Sequence, residues 1–355
     1  MKEKHFTRMG DGERIRMDAD EIREDIRNGS ADAAARAGIP ELTEEERDRM
    51  FEIITEPSRV VSVSPGREVI ATDDGHTMSF YSGEDGGGVG VPLSRMQAVL
   101  TYERACGADT TSLGHSDYSY KPVKPIVNYE ANEYYTISQM TTAPFFYGAQ
   151  PNLGLYFQPD GPCPNAAELM PLGKIEEARK AQEQAADQLT EDLVFVAKKL
   201  AEVGLEGLNF DTSGSAGDAD FLAALRAVEQ IKREIPDLPI LMGGSGEFVI
   251  GMHGKIAYKG KRLAGMYTHD QARIVEEAGA DIYGMAVNTS TTESVQWNLA
   301  RAVTFLKATT AACAIPVHVN VGMGVCGIPM MEQPPVDSVT RVSKTLVEIG
   351  MADGL

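Results

Sequence analysis

The strongest constraint in this sequence is a strand–helix alternation that repeats through its second half. Apolar runs that read as strands begin at residues 206, 238, 281, 316 and 353, roughly every 30 to 45 residues. Helical stretches near 221–234, 269–278, 295–311 and 336–349 separate them, and a longer one over about 175–202 precedes the series. Strands joined by helical crossovers run parallel, because each crossover returns the chain to the same end of the sheet. Runs near 108 and 144 extend the series backwards, so that about six strands precede the one begun at 353. The pattern predicts an α/β fold, a TIM-type (β/α)8 barrel that is incomplete as given, since eight strands close such a barrel. Asp353-Gly354-Leu355 would open the seventh strand. Its approach, Gly350-Met351-Ala352-Asp353, has the form of the internal junction Gly279-Ala280-Asp281. The expectation is a chain that stops inside the barrel with its last strands missing. An open doubly wound sheet is the alternative that the same alternation allows.

Residues 1–91 read as an N-terminal extension and residues 92–355 as the barrel domain. The extension is expected to be helical up to about Pro57. Asp18 to Glu21 precede Ile22 and Ile26, with Gly29 as the stop of a short capped helix. A second helix starts at Thr43, with Glu46 in capping-box spacing. Val60–Val63, Glu68–Ala71 and Thr77–Phe80 alternate with period two and predict a small antiparallel element.

Composition excludes several classes. The N-terminus lacks the apolar core of a signal peptide, and no run approaches the roughly 18 apolar residues of a membrane span. Cys106, Cys163, Cys313 and Cys326 are far apart, so neither a disulfide framework nor a structural zinc site is expected, and a cytoplasmic location follows. A net charge of −19 argues against nucleic acid, whose phosphates such a chain repels.

In a parallel barrel the reactive side chains stand at the C-terminal ends of the strands. Those positions hold Asn209 and Asp211, then Gly243 to Glu247 with His253 in the loop beyond, then Asn288, then His318 and Asn320. Asp211 also suits a helix cap and His318 a core histidine. Gly322-Met323-Gly324-Val325-Cys326-Gly327 matches GxGxxG by spacing, but the next helix begins only near Pro335, whereas a dinucleotide fingerprint needs the helix to open on the glycines. Gly86–Gly90 lacks the Lys-Ser/Thr of a phosphate loop. His115-Ser116-Asp117 holds possible metal ligands, although a turn accounts for it as well. No metal site is expected.

Several stretches together resemble the dimethylamine:corrinoid methyltransferases. They include Arg8-Met9-Gly10-Asp11-Gly12, Gly114–Pro125, Asn209-Phe210-Asp211-Thr212, Gly251-Met252-His253-Gly254, Trp297–Phe305 and Gly322-Met323-Gly324-Val325, in order along the whole chain. The resemblance implies a barrel enzyme that moves a methyl group from dimethylamine to the cobalt of a separate corrinoid protein. It further implies pyrrolysine, read from an in-frame amber codon, directly after the segment that ends at Leu355. The 355-residue product would then be inactive.

Strand-end logic, and not the resemblance, nominates the catalytic groups. Dimethylamine is protonated at neutral pH, so a carboxylate must take its proton and another group must protonate the electrophilic imine of pyrrolysine. Asp211 and Glu247 are the candidates, with His318, Asn288 and Asn320 as hydrogen-bonding neighbours. The chain lacks the DxHxxG pattern that supplies an axial histidine, so the chain itself binds no cofactor. The cobalamin-type corrinoid is expected on a cognate partner protein, met at an interface. A homo-oligomer is expected, although no residue pattern sets its size. Two other readings stay open: a barrel aldolase or decarboxylase, for which the strand ends lack a basic anion cluster, and a non-catalytic binding subunit.

Overall fold

The computed structural model describes residues 4–74, 80–81, 88–89, 109–116, 145–149, 153–202, 204–205, 207–331 and 334–355. The chain forms two units. One comprises Met1–Thr72, Arg95–Thr111 and Met285–Leu355, the other Asp73–Ser94 and Ser112–Gly284. Cys106, Asp117 and residues 93–106 and 121–125, for which the sequence predicts a helix and a proline-bounded connection, lie outside the described residues.

The first unit opens on a hairpin where a helix was expected. Strands β1 (Lys4–Arg8) and β2 (Arg14–Asp18) pair antiparallel, with Lys4 opposite Asp18 and Arg8 opposite Arg14. Gly12, at a φ of 93°, makes the turn between them, a backbone state that glycine adopts without a Cβ clash. The charged composition of these strands hid a period-two alternation whose inner face carries the buried Thr7, bonded to Gln296 at 2.7 Å.

Helix α1 (Ala19–Ala37) starts at the Asp18–Glu21 capping box as expected, but it passes through Gly29 and ends at Gly38. Gly29 is a contact point and not a stop. A Cβ there would lie 2.1 Å from the Trp297 carbonyl oxygen, so the missing side chain lets α1 and the helix bearing Trp297 touch backbone to backbone. Ile22, Ile26, Ser30 and Ala33 are buried at helical spacing along α1. Helix α2 (Glu44–Thr55) begins at the Thr43–Glu46 capping box.

Strand β3 (Ile70–Asp74) corrects the expected antiparallel element, because Ile70 bridges Gly354 in the parallel sense. Antiparallel pairing occurs further on, between β4 (Phe80–Tyr81) and β5 (Gly88–Val89). Period-two alternation marks a strand but does not tell its direction when the partner is nearly 300 residues away.

In the second unit, strands β6 (Asp109–Ser116), β7 (Phe145–Ala149), β8 (Gly207–Ser213), β9 (Ile240–Gly244) and β12 (Ile282–Met285) pair in that order, all parallel. A helical turn, α3 (Ala166–Leu169), leads into α4 (Ile175–Glu202), and α5 (Asp218–Glu234) links β8 to β9. Strands β10 (Ala257–Tyr258) and β11 (Lys261–Arg262) form a small hairpin before α6 (Thr268–Ala278). Helices α4 and α5 bury Leu189, Leu193, Phe221, Leu225 and Val228; each such side chain contributes about 1.5–3 kcal/mol by leaving water.

The first unit resumes with α7 (Val295–Thr310), β13 (Val317–Val319) and α8 (Val336–Glu348). Beyond α8, Gly354 stands in parallel bridges to both His318 and Ile70. The junction likeness noted in the sequence has a physical basis. Asp281 accepts from the Ile240 backbone N–H at 2.7 Å while its own N–H donates to the Ile240 carbonyl. Asp353 does the same to Val317, at 2.8 Å. Each aspartate registers its strand on the first residues of its neighbour. Among the described residues no helix is long and apolar enough to cross a membrane.

Candidate functional site

Strand ends carry the nominated side chains in both units. In the second unit Asp211 lies on β8 and Glu247 is half-buried in the loop that leaves β9. His253 follows on that loop. Its Nδ1 accepts from the Lys255 N–H at 3.2 Å, its Nε2 is buried without a partner, and burial, with Arg179 nearby, holds its pKa below the usual value.

The first unit holds the other three. Asn288 is exposed and bridges Val325, where residues 287–289 pair with 324–326 through Thr289 to Gly324 and Cys326 to Val287. The glycines of the GxGxxG run serve this fold: Gly327 abuts Leu299, whose backbone N would stand 3.0 Å from a Cβ, and the next helix begins only at Val336. Asn320 is exposed, and its Oδ1 accepts from Gly322 N–H at 2.8 Å, the geometry of a side-chain-closed turn.

His318 sits in the middle of β13, between the buried Val317 and Val319. Desolvation pushes its pKa down to about 4, opposed by a hydrogen bond to the Leu355 backbone. A contact that raises the pKa of a base is one in which its ring N–H donates. The imidazole is therefore neutral near pH 7, a directed hydrogen-bond group that joins β13 to residues 353–355 and not a cation.

Sequence reasoning missed two carboxylates. Asp218 and Asp220, in the first turn of α5, expose none of their surface. Desolvation raises Asp218 to about 6 and Asp220 to about 7. The Asp220 carboxylate accepts from the Ala216 N–H at 3.0 Å and from Ser215 Oγ at 3.4 Å, bending the loop after β8 around itself. Neither oxygen of Asp218 makes a well-formed hydrogen bond, and the nearby Ala219 and Ile256 N–H groups only partly offset its burial. Asp-x-Asp between a glycine and an apolar helix face was the available signal. A third polar group is Tyr283, whose hydroxyl donates to Gln271 at 3.1 Å, both buried.

A family model described as dimethylamine methyltransferase matches residues 3–355. The chain belongs to the dimethylamine methyltransferase family. The match covers every stretch on which the resemblance was drawn, and it makes this chain a member of a family of methyltransferases. Among solved structures, the spore cortex-lytic enzyme SleL of Bacillus cereus superposes with a TM-score of 0.37 at 10% identity, over 84% of this chain and 60% of that one. A superposition that loose carries no argument about fold or function, and the chain spans about 60% of that protein's length.

Proposed function

We propose that this protein catalyses transfer of one methyl group from dimethylamine to the cobalt of a corrinoid held by a separate protein in the cytoplasm. The observation that carries the reading is the family match along residues 3–355. In the balanced step a carboxylate takes one proton of the dimethylammonium ion as the amine is held, and Co(I) of the partner, as second substrate, takes one methyl carbon. The C–N bond breaks with its electron pair passing to nitrogen, a proton returns to that nitrogen, and methylamine leaves. Dimethylammonium is a poor electrophile in water, so the enzyme's contribution is to hold it in line with cobalt and manage its proton.

The fold proposed for this chemistry is a (β/α)8 barrel. Three parallel segments in the first unit (at Ile70, at β13 and at 353–355) and five strands in the second are available, the number that a closed barrel needs. In such a barrel, with β3 counted, Asp353–Leu355 would be the eighth strand, where the sequence alone counts it as the seventh. The family resemblance puts pyrrolysine directly after Leu355. Gly354 faces His318, so a strand continuing in that register would set the following residue beside Asn320, at the C-terminal end where barrel enzymes work. Asp211 and Glu247 are proposed as the proton-handling carboxylates, with His318, Asn288 and Asn320 as neutral hydrogen-bonding neighbours.

The test expresses the gene in a host able to insert pyrrolysine and offers mono-, di- and trimethylamine with a Co(I) corrinoid protein. Dimethylamine should be consumed one for one with methylamine release. Consumption of none of them, or a codon other than amber after that for Leu355, would overturn the corresponding part of the proposal.

A further inference from the structure

A cleft of about 740 Å³ opens in the first unit between the β1–β2 hairpin, the chain at 54–59 that leaves α2, and the start of α8. Its lining is unlike the rest of a chain whose net charge is −19. Five cationic side chains line it against two carboxylates, Glu56 and Asp337. Two of the cations are committed to structure. Arg8 pairs with Asp337 through two bonds of 3.0 and 3.1 Å, and Arg341 spends its donors on the carbonyls of Ile54, Glu56 and Ser58, among others. Glu56 turns its carboxylate to the Ser58 N–H and hydroxyl. Lys4, Arg14 and Arg59 remain, all exposed, with no carboxylate partner among the described residues.

The hairpin register sharpens the point. Arg14 stands directly opposite Arg8, and like charges at opposed positions destabilise a strand pair. Arg14 is held over the Phe6 ring at 4.3 Å, which fixes its guanidinium in the cleft but leaves the charge unneutralised. Beyond about 8 Å the field of the remaining acidic surface is screened at physiological salt, so the local lining decides what binds. The volume falls in the range of small-molecule pockets, about 300–1,000 Å³.

We propose that this cleft binds a small multiply charged anion, of the phosphate or polycarboxylate kind, on Lys4, Arg14 and Arg59. The proposal is independent of the methyl-transfer reading. Guanidinium groups bond such oxyanions through paired N–H donors, and a single ligand would neutralise three charges that have no carboxylate partner among the described residues.

Calorimetric titration of the full chain with pyrophosphate and with citrate, at low and at physiological salt, tests it. Saturable one-to-one binding is expected for at least one of them, weakened tenfold or more by Arg14→Ser together with Arg59→Ser, and unchanged by Arg233→Ser on an exposed face of the other unit. The tighter of the two identifies the head group. Should the double variant fail to fold, Arg59→Gln alone serves, since no bond of that side chain supports the fold among the described residues; it should weaken binding at least threefold. Absence of saturable binding for both anions, or equal affinity in the Arg59 variant, would overturn the proposal.

Discussion

The His318 imidazole donates a hydrogen bond to the backbone of Leu355, across a parallel bridge in which His318 itself faces Gly354. The pair is framed on one side by Asp353 on the Val317 N–H and on the other by the Leu355 N–H, which donates to the Ile70 carbonyl at 2.9 Å. Residues 353–355 are thus stitched to two strands that lie far away in sequence. The chain reaches this point in a defined register, and His318 sets it as a neutral donor.

Acid should loosen this junction. The folded-state pKa of His318 is depressed to about 4, so folding keeps the ring neutral, and the stability it confers is present above about 6.5 and lost as pH falls toward 4. Denaturant unfolding between pH 7 and 4 should show about 2–3 kcal/mol of loss from this group. In His318→Gln that part of the slope should disappear. A variant as acid-sensitive as the wild type would show that His318 is not the cause.

The aspartate junctions should matter through one oxygen each. Asp353→Ala leaves the Val317 N–H without its 2.8 Å acceptor and should cost about 1–2 kcal/mol in urea unfolding. Asp353→Asn, which retains an acceptor oxygen, should cost less than half as much. Equal losses would mean that the carboxylate charge, and not the hydrogen bond, holds the strand.

Asp220 should act with the opposite sign to His318. Its folded-state pKa is raised to about 7, so the folded chain binds its proton more tightly than the unfolded chain does. Stability from it is full below about 3.9 and declines as pH rises to 7. Asp220→Asn keeps an acceptor for Ala216 and Ser215 while removing the charge, and it should stabilise the protein at pH 8 by up to about 3–4 kcal/mol. Thermal melts at pH 5 and pH 8 check it: the variant should gain at both, and clearly more at the higher pH.

Gly29→Ala pits helix propensity against packing. Alanine in a helix interior is favoured by about 1 kcal/mol over glycine. The new methyl group would meet the Trp297 carbonyl oxygen at 2.1 Å, and neither backbone can retreat without parting two helices. Overpacking of this kind costs about 1–3 kcal/mol, so the substitution should destabilise in a melting experiment. A stabilised variant would show that α1 and α7 are not in close contact.

The capped starts of α1 and α2 and the parallel strand–helix order were legible in the sequence because local chemistry decides them. Asp18, Thr43 and Glu46 act within one turn. What stayed hidden depends on partners distant in the chain. The direction of β3 is set by Gly354, and the passage of α1 through Gly29 by Trp297. At the candidate site, His318 and Asn320 were visible as strand-end residues, but the neutral state of His318 follows from burial that only the folded chain provides. Asp218 and Asp220 were passed over for the same reason. An aspartate at a helix start is ordinarily solvated, and only the packing around these two makes them able to hold a proton near neutrality.

The most direct test of methyl transfer follows the methyl carbon itself. The pyrrolysine-competent protein, incubated with 13C-labelled dimethylamine and a Co(I) corrinoid protein, should give a 13C resonance of a cobalt-bound methyl group, with one equivalent of labelled methylamine released. Labelled dimethylamine recovered intact, with the corrinoid left unmethylated, would contradict the account.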